Sequence, residues 1–130
     1  DRTAFTDGYP VLVASQASLD DLNARLALRG AGPVGIERFR PSVLVAGAPA
    51  WAEDGWAGLR AGGVALALVK PCARCVVTTV DPARGVRAGP EPLRTLAEFR
   101  RGAGGAVLFA QNAVVRAPGV LRVGDPAAAA

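Results

Sequence analysis

Apolar residues along this chain gather in short runs separated by Gly and Pro, and each run is too short and too β-branched for a core helix. Seven of them read as strands: "PVLVAS" (Pro10–Ser15), "SVLVAG" (Ser42–Gly47), "GVALALVK" (Gly63–Lys70), "CVVTTV" (Cys75–Val80), "AVLFA" (Ala106–Ala110), "AVVR" (Ala113–Arg116) and "VLRV" (Val120–Val123). Two segments change to a helical period. In "SLDDLNARL", Ser18 can cap, Asp20 and Asp21 suit the positive end of the dipole, and Leu19, Leu22 and Leu26 share a face. In "EPLRTLAEFRRG", Pro92 lies near the first turn, Leu93, Leu96 and Phe99 follow, and Gly102 is the expected stop. Seven strands and two helices predict a mainly β barrel or curled sheet with short helices at its margin.

Composition narrows the class. A chain of 130 residues is one domain's worth, residues 1–130, and can bury a core without staples. No apolar run approaches the roughly 20 residues that span a bilayer, so no membrane span is expected. No leader pattern opens the chain, and the start "DRTAFTDGYP" and end "DPAAAA" read as cuts from a longer protein. Two cysteines do not make a disulfide framework, which points to a reducing, cytoplasmic setting. The net charge is +4, but aromatics are only 5%, so no stacking stripe for nucleic acid exists and none is expected as a partner. Scattered arginines suit one small anionic ligand better, because guanidinium forks match phosphate oxygens in pairs.

Candidate chemistry centres on "PCARCVVTTV" (Pro71–Val80), which holds both cysteines, Cys72 and Cys75. The chain has no histidine, so a zinc site of Cys and His lacks ligands, and an iron–sulfur cluster lacks thiolates. A thioredoxin-like pair belongs at a helix start, whereas the run after Cys75 reads as strand. Three readings stay open on the residues alone: two packed thiols, a weakened redox pair, or one thiolate completing the shell of a metal whose other ligands come from a cofactor. Ser18 at a helix start, with Ser15 before it, offers donors for an anion.

Read in order, "FTDGYPVLVASQASLDDLNARL", "RFRPSVLVAG", "WAEDGWAGLRAGGVALALVKPCARCVVTTVDPARG", "EPLRTLAEFR", "LFAQNAVV" and "GVLRVGDP" resemble the MOSC domain, named for the C-terminal part of molybdenum cofactor sulfurase, from about Phe5 to Pro126. The branch it resembles contains the mitochondrial amidoxime-reducing component and its bacterial relatives. The resemblance implies a MOSC-type β-barrel with flanking short α-helices. It also implies a molybdenum–pterin cofactor, with Cys75 as metal ligand and catalytic residue and with Cys72 as a packed neighbour. Cofactor contacts implied by the same alignment of motifs are Ser15, Ser18, Arg40, Ser42, Arg74 and Asn112, and a pyridoxal phosphate association accompanies the family. Two departures stand out: Ser42 replaces a common Asn after "RP", and Ala110 in "FAQN" replaces a usual Gly, where a side chain resists positive φ. Asp81 and Pro82 are expected to shape a turn.

The implied activity is reduction of N-hydroxylated small molecules, such as amidoximes or hydroxylated purine analogues, with electrons from a haem or iron–sulfur partner. Full-length relatives carry an N-terminal β-rich region that helps enclose the cofactor, so this chain is expected to be the C-terminal part of such a protein. The alternative is a non-catalytic module that carries sulfur on Cys75 for cofactor sulfuration.

Overall fold

The computed structural model describes residues 2–129. Its strands are β1 (Arg2–Phe5), β2 (Pro10–Ser15), β3 (Val43–Val45), β4 (Gly58–Ala61), β5 (Val64–Arg74), β6 (Val80–Asp81), β7 (Val86–Arg87), β8 (Val107–Ala117), β9 (Gly119–Arg122) and β10 (Ala127–Ala129). The helices are α1 (Gln16–Leu28) and α2 (Leu93–Phe99). Six strands form one sheet in the order β10-β4-β5-β8-β2-β3, while β1 pairs with β9 and β6 with β7. The main sheet curls into a nearly closed barrel, as the mainly β reading expected. Every pairing in it is antiparallel except β2 with β3.

Two apolar cores share the sheet. Inside the barrel Phe5, Val11, Val13, Leu59, Val64, Leu66, Ala113 and Val115 pack together. On the helical side Ala14, Leu19, Leu22, Leu26, Phe39, Leu96 and Phe109 form the second. Neighbours on a strand face opposite ways, which is how β2 sends Val13 to one core and Ala14 to the other. On β8, Phe109 and Ala113 have the same parity yet serve different cores. The switch lies between them: Ala110 has φ 73, and β8 spends one more residue than β5 between the pairs Pro71↔Gln111 and Ala73↔Leu108. An inserted residue in the left-handed region reverses the faces beyond it.

Several sequence-based boundaries need correction. The two runs Ala106–Ala110 and Ala113–Arg116 are one continuous strand, bent rather than broken. β5 outruns its apolar stretch and carries Cys72 and Arg74. The expected strand Cys75–Val80 is instead a 3-10 turn over Val76–Thr79 followed by the short β6, because Thr78 returns both its N–H (3.1 Å) and its hydroxyl (2.9 Å) to the Cys75 carbonyl. α1 begins two residues before Ser18, with Ser15 as N-cap accepting from the Ser18 N–H at 3.4 Å. Asp20 and Asp21 consequently lie beyond the first turn, where they bind Gln16 and Arg25. α2 stops at Phe99, with Arg100 and not Gly102 at its end. Arg29, after α1, pairs with Glu91 at 3.5 Å and with Glu98, tying the two helices together.

Candidate functional site

β5 delivers the two cysteines to different places. Cys72 is half-buried, Cys75 is exposed, and both are free. In extended backbone, residues three apart stand about 10 Å apart at Cα and point to opposite faces, well beyond disulfide reach. The pair is not built as a redox disulfide. Arg74, on the Cys72 face of the strand, donates to the Cys72 sulfur at 3.2 Å and to the Phe39 carbonyl at 2.5 Å. Its guanidinium sits 5.2 Å from the Phe39 ring centroid, and Phe39 in turn stacks on Phe109 at 4.0 Å. One donor is left over: Arg74 Nε is buried without a hydrogen-bond partner.

The turn that carries Phe39 also positions the arginines. Arg38 donates to the Thr78 carbonyl at 3.2 Å, so the segment Ile36–Arg40 is pinned against the turn after Cys75. Pro41 biases the residue before it toward extended backbone, yet Arg40 is left-handed, with φ 57, and exposed. Among the described residues it has no ion-pair partner. Together with Glu37, Arg38, Val77, Val80, Pro82 and Gly85 it lines a cleft of ≈ 320 Å³. Asp81 and Pro82 form the expected turn, in which the Asp81 carboxylate accepts from the Ala83 N–H at 2.9 Å.

The other expected contacts fall elsewhere. Ser42 and Asn112 line a separate open groove of ≈ 570 Å³ with Leu12, Val69 and Lys70. Ser42 Oγ accepts weakly from the Leu12 N–H at 3.4 Å. Ser15 and Ser18 are fully buried at the start of α1. The Ser18 hydroxyl donates to Glu53 Oε2 at 2.6 Å and accepts from the Trp51 N–H at 2.8 Å, so its one donor is taken within the fold. Glu53 is 1% exposed, and its Oε1 has no partner. The next residue, Asp54, holds Arg100 through both carboxylate oxygens (2.5 and 2.9 Å) and accepts from Gln111 at 2.9 Å. Phe39, Thr78 and Glu53 were missed in the sequence. The first two follow from neighbours of recognised residues, whereas nothing in "WAEDGW" marks Glu53 as buried.

Among the described residues, no three cysteine, aspartate or glutamate side chains converge as a metal-binding group. The arrangement offers one exposed thiol, a spare buried guanidinium donor and a basic cleft beside them. That set can hold a metal by a single sulfur and an anion by arginine. It gives pyridoxal phosphate nothing comparable, since the only lysine, Lys70, is exposed on the rim of the open groove.

The profile of the MOSC domain family matches residues 1–128, and the chain belongs to that family. It is 41% identical to mitochondrial amidoxime-reducing component 1 of Homo sapiens over 97% of this chain and 38% of that protein. It is 42% identical to mitochondrial amidoxime reducing component 2 of Bos taurus over 76% of this chain and 28% of that protein. The chain thus spans less than two fifths of these relatives. Among solved structures, YiiM from Geobacillus stearothermophilus superposes with a TM-score of 0.65 over 100% of this chain and 60% of that one, at 14% identity, and shares the fold. The compartment in the relatives' names is the mitochondrion, which lends no support to the cytoplasmic expectation; among the described residues no helix is long and apolar enough to cross a membrane.

Proposed function

We propose that this chain is the molybdenum-cofactor-binding domain of an oxidoreductase that reduces N-hydroxylated small molecules, the C-terminal part of a longer protein. The observation that carries the reading is Cys75: a free, exposed thiol at the end of β5, beside Arg74 and a basic cleft, in a chain about 40% identical to proteins named for amidoxime reduction. A soft sulfur donor used once suits a metal whose other ligands travel with an organic group. When bound, that centre supplies two-electron reduction, in which an N–OH group takes two electrons and two protons and leaves as N–H and water.

This chain's residues bind and orient. Cys75 offers the sulfur. Arg74, the residue before Cys75, is held by the Phe39 carbonyl and adds positive charge to that end of β5, and Arg40 offers an unpaired fork for a phosphate. Ser42 and Asn112 reach only what extends into the neighbouring groove. Ser15 and Ser18 act by setting the start of α1 and its backbone N–H groups, because the Ser18 hydroxyl is already committed. Electrons come from a separate haem or iron–sulfur protein.

Metal analysis of the full-length protein from a host that makes the cofactor tests this reading. About one molybdenum per chain is expected in wild type, with loss of metal and turnover in Cys75→Ser, because an alcohol is a hard and poorly ionised donor. Cys72→Ala is expected to keep both, at a packing cost on the order of 1 kcal/mol. Full turnover in Cys75→Ser rejects the assignment, and a persulfide on Cys75 without metal gives the sulfur-carrier alternative the stronger case.

A further inference from the structure

The Ile36–Arg40 turn and the β6–β7 hairpin concentrate positive charge that no ion pair among the described residues offsets. Arg38, Arg40, Arg74, Arg84 and Arg87 stand there against two carboxylates, Glu37 and Asp81. These five arginines and two acids hold three of the four net positive charges, since the remaining ten basic residues face nine acidic ones. Pairing directs the hairpin side chains. Val80 is opposite Arg87 and lines the cleft, so Arg87 projects on the cleft side; Asp81 is opposite Val86 and turned to the other. The Asp81 carboxylate is also occupied by its own turn. Arg84 and Arg87 are exposed and have no ion pair among the described residues, and exposed Val77 (54%) lines the same cleft as Val80.

From this we infer that the hairpin and the adjoining turn form a docking surface for the acidic face of an iron–sulfur electron-transfer protein. The inference rests on the reductase reading above and names where its electrons enter. An open rim of unpaired arginines around small apolar contacts fits a weak, electrostatically steered encounter. The patch adjoins the turn that starts at Cys75, so a partner docked there places its prosthetic group beside the proposed metal ligand. Two successive encounters balance the reaction: each oxidises one reduced donor by one electron, and water supplies the two protons.

The test uses the full-length protein and an acidic [2Fe–2S] ferredoxin as probe, titrated at low and at physiological ionic strength. Wild type is expected to bind weakly, with affinity falling as salt rises. Arg84→Glu should weaken binding at least about threefold, whereas Arg122→Glu, on β9, should change it little. With ferredoxin as reductant the hairpin variant should show a raised KM for the donor, and with dithionite its turnover should match wild type. Equal binding by wild type and hairpin variant, or equal loss from the control variant, overturns the inference. So does loss of affinity only for phosphatidylserine vesicles or for poly(U), which would make the patch a membrane or RNA contact. Absence of N-hydroxyl reduction with dithionite, alongside the expected binding pattern, would sink the reductase reading and leave the docking surface standing.

Discussion

Single residues decide how the two cores join. Ala110 sits at φ 73 where the family resemblance has glycine, so an L side chain is held in a region that costs it roughly 1–2 kcal/mol. Ala110→Gly removes that strain but gives back unfolded-state entropy and a buried methyl group, each worth about 0.5–1 kcal/mol, and should therefore be within about 0.5 kcal/mol of neutral. Ala110→Val adds a β-branched side chain to the same conformation inside a packed core and should cost about 2–4 kcal/mol by urea denaturation. Equal stability of the valine variant would remove the bulge from its role as face-switch. Ser18 makes a parallel case. Its alanine variant leaves a buried carboxylate oxygen and the Trp51 N–H short of a partner, so the cofactor-free protein should lose about 2–4 kcal/mol. A serine that served only a cofactor would show no loss in that state.

Elements differ in how plainly the sequence announced them. β2 was legible to the residue from its short β-branched run, and the leucines of α1 were placed correctly on one buried face, although the cap read as Ser18 is Ser15. Cys75–Val80 misled because β-branched residues favour strand, while the Thr78 hydroxyl, bonding back to Cys75, offers the backbone a local alternative that no periodicity shows. β1, β4 and β10 went unseen because each has four residues or fewer, and β10 is built from the alanine tail. At the site, the motif singled out Arg74 and Cys75, and the fold holds Arg74 against the Phe39 carbonyl and leaves the Cys75 thiol exposed. The separation of Arg40 from Ser42 and Asn112 was not legible, since the left-handed turn at Arg40 opposes the bias of its proline. Electrostatics join α1 to the Trp51 segment in the same unannounced way. Burial raises the Asp21 pKa, but the Trp51 indole N–H and the Arg25 guanidinium more than offset it, leaving the carboxyl below its usual value of 3.8. A depressed carboxyl adds stability above its unfolded value and loses it as pH falls through the folded one. The stability gap between wild type and Asp21→Asn should therefore be constant at neutral pH and close as pH falls below about 4. A gap that persists undiminished into stronger acid would show that the ion pair is not its source.

At the scale of the whole molecule, the question is whether two cores make two folding units. β2 and β8 each contribute side chains to both, so neither core can open without pulling apart strands the other needs. That coupling argues for one cooperative transition, as is usual for single domains of this size. The chain carries its own reporters: of its two tryptophans, Trp56 packs against the barrel core and Trp51 against the helical one. Single-tryptophan variants, Trp51→Phe and Trp56→Phe, should each give a fluorescence unfolding curve that coincides with the far-UV circular dichroism curve of the same variant. Leu22→Ala on the helical side should cost about 2–5 kcal/mol and shift both reporters together, although Trp56 lies with the opposite core. Separate midpoints for the two tryptophans would mean that the helical layer, with Phe39 and the arginines it positions, can loosen while the barrel stands, and that the basic cleft is held by a weaker unit than the strand carrying Cys75.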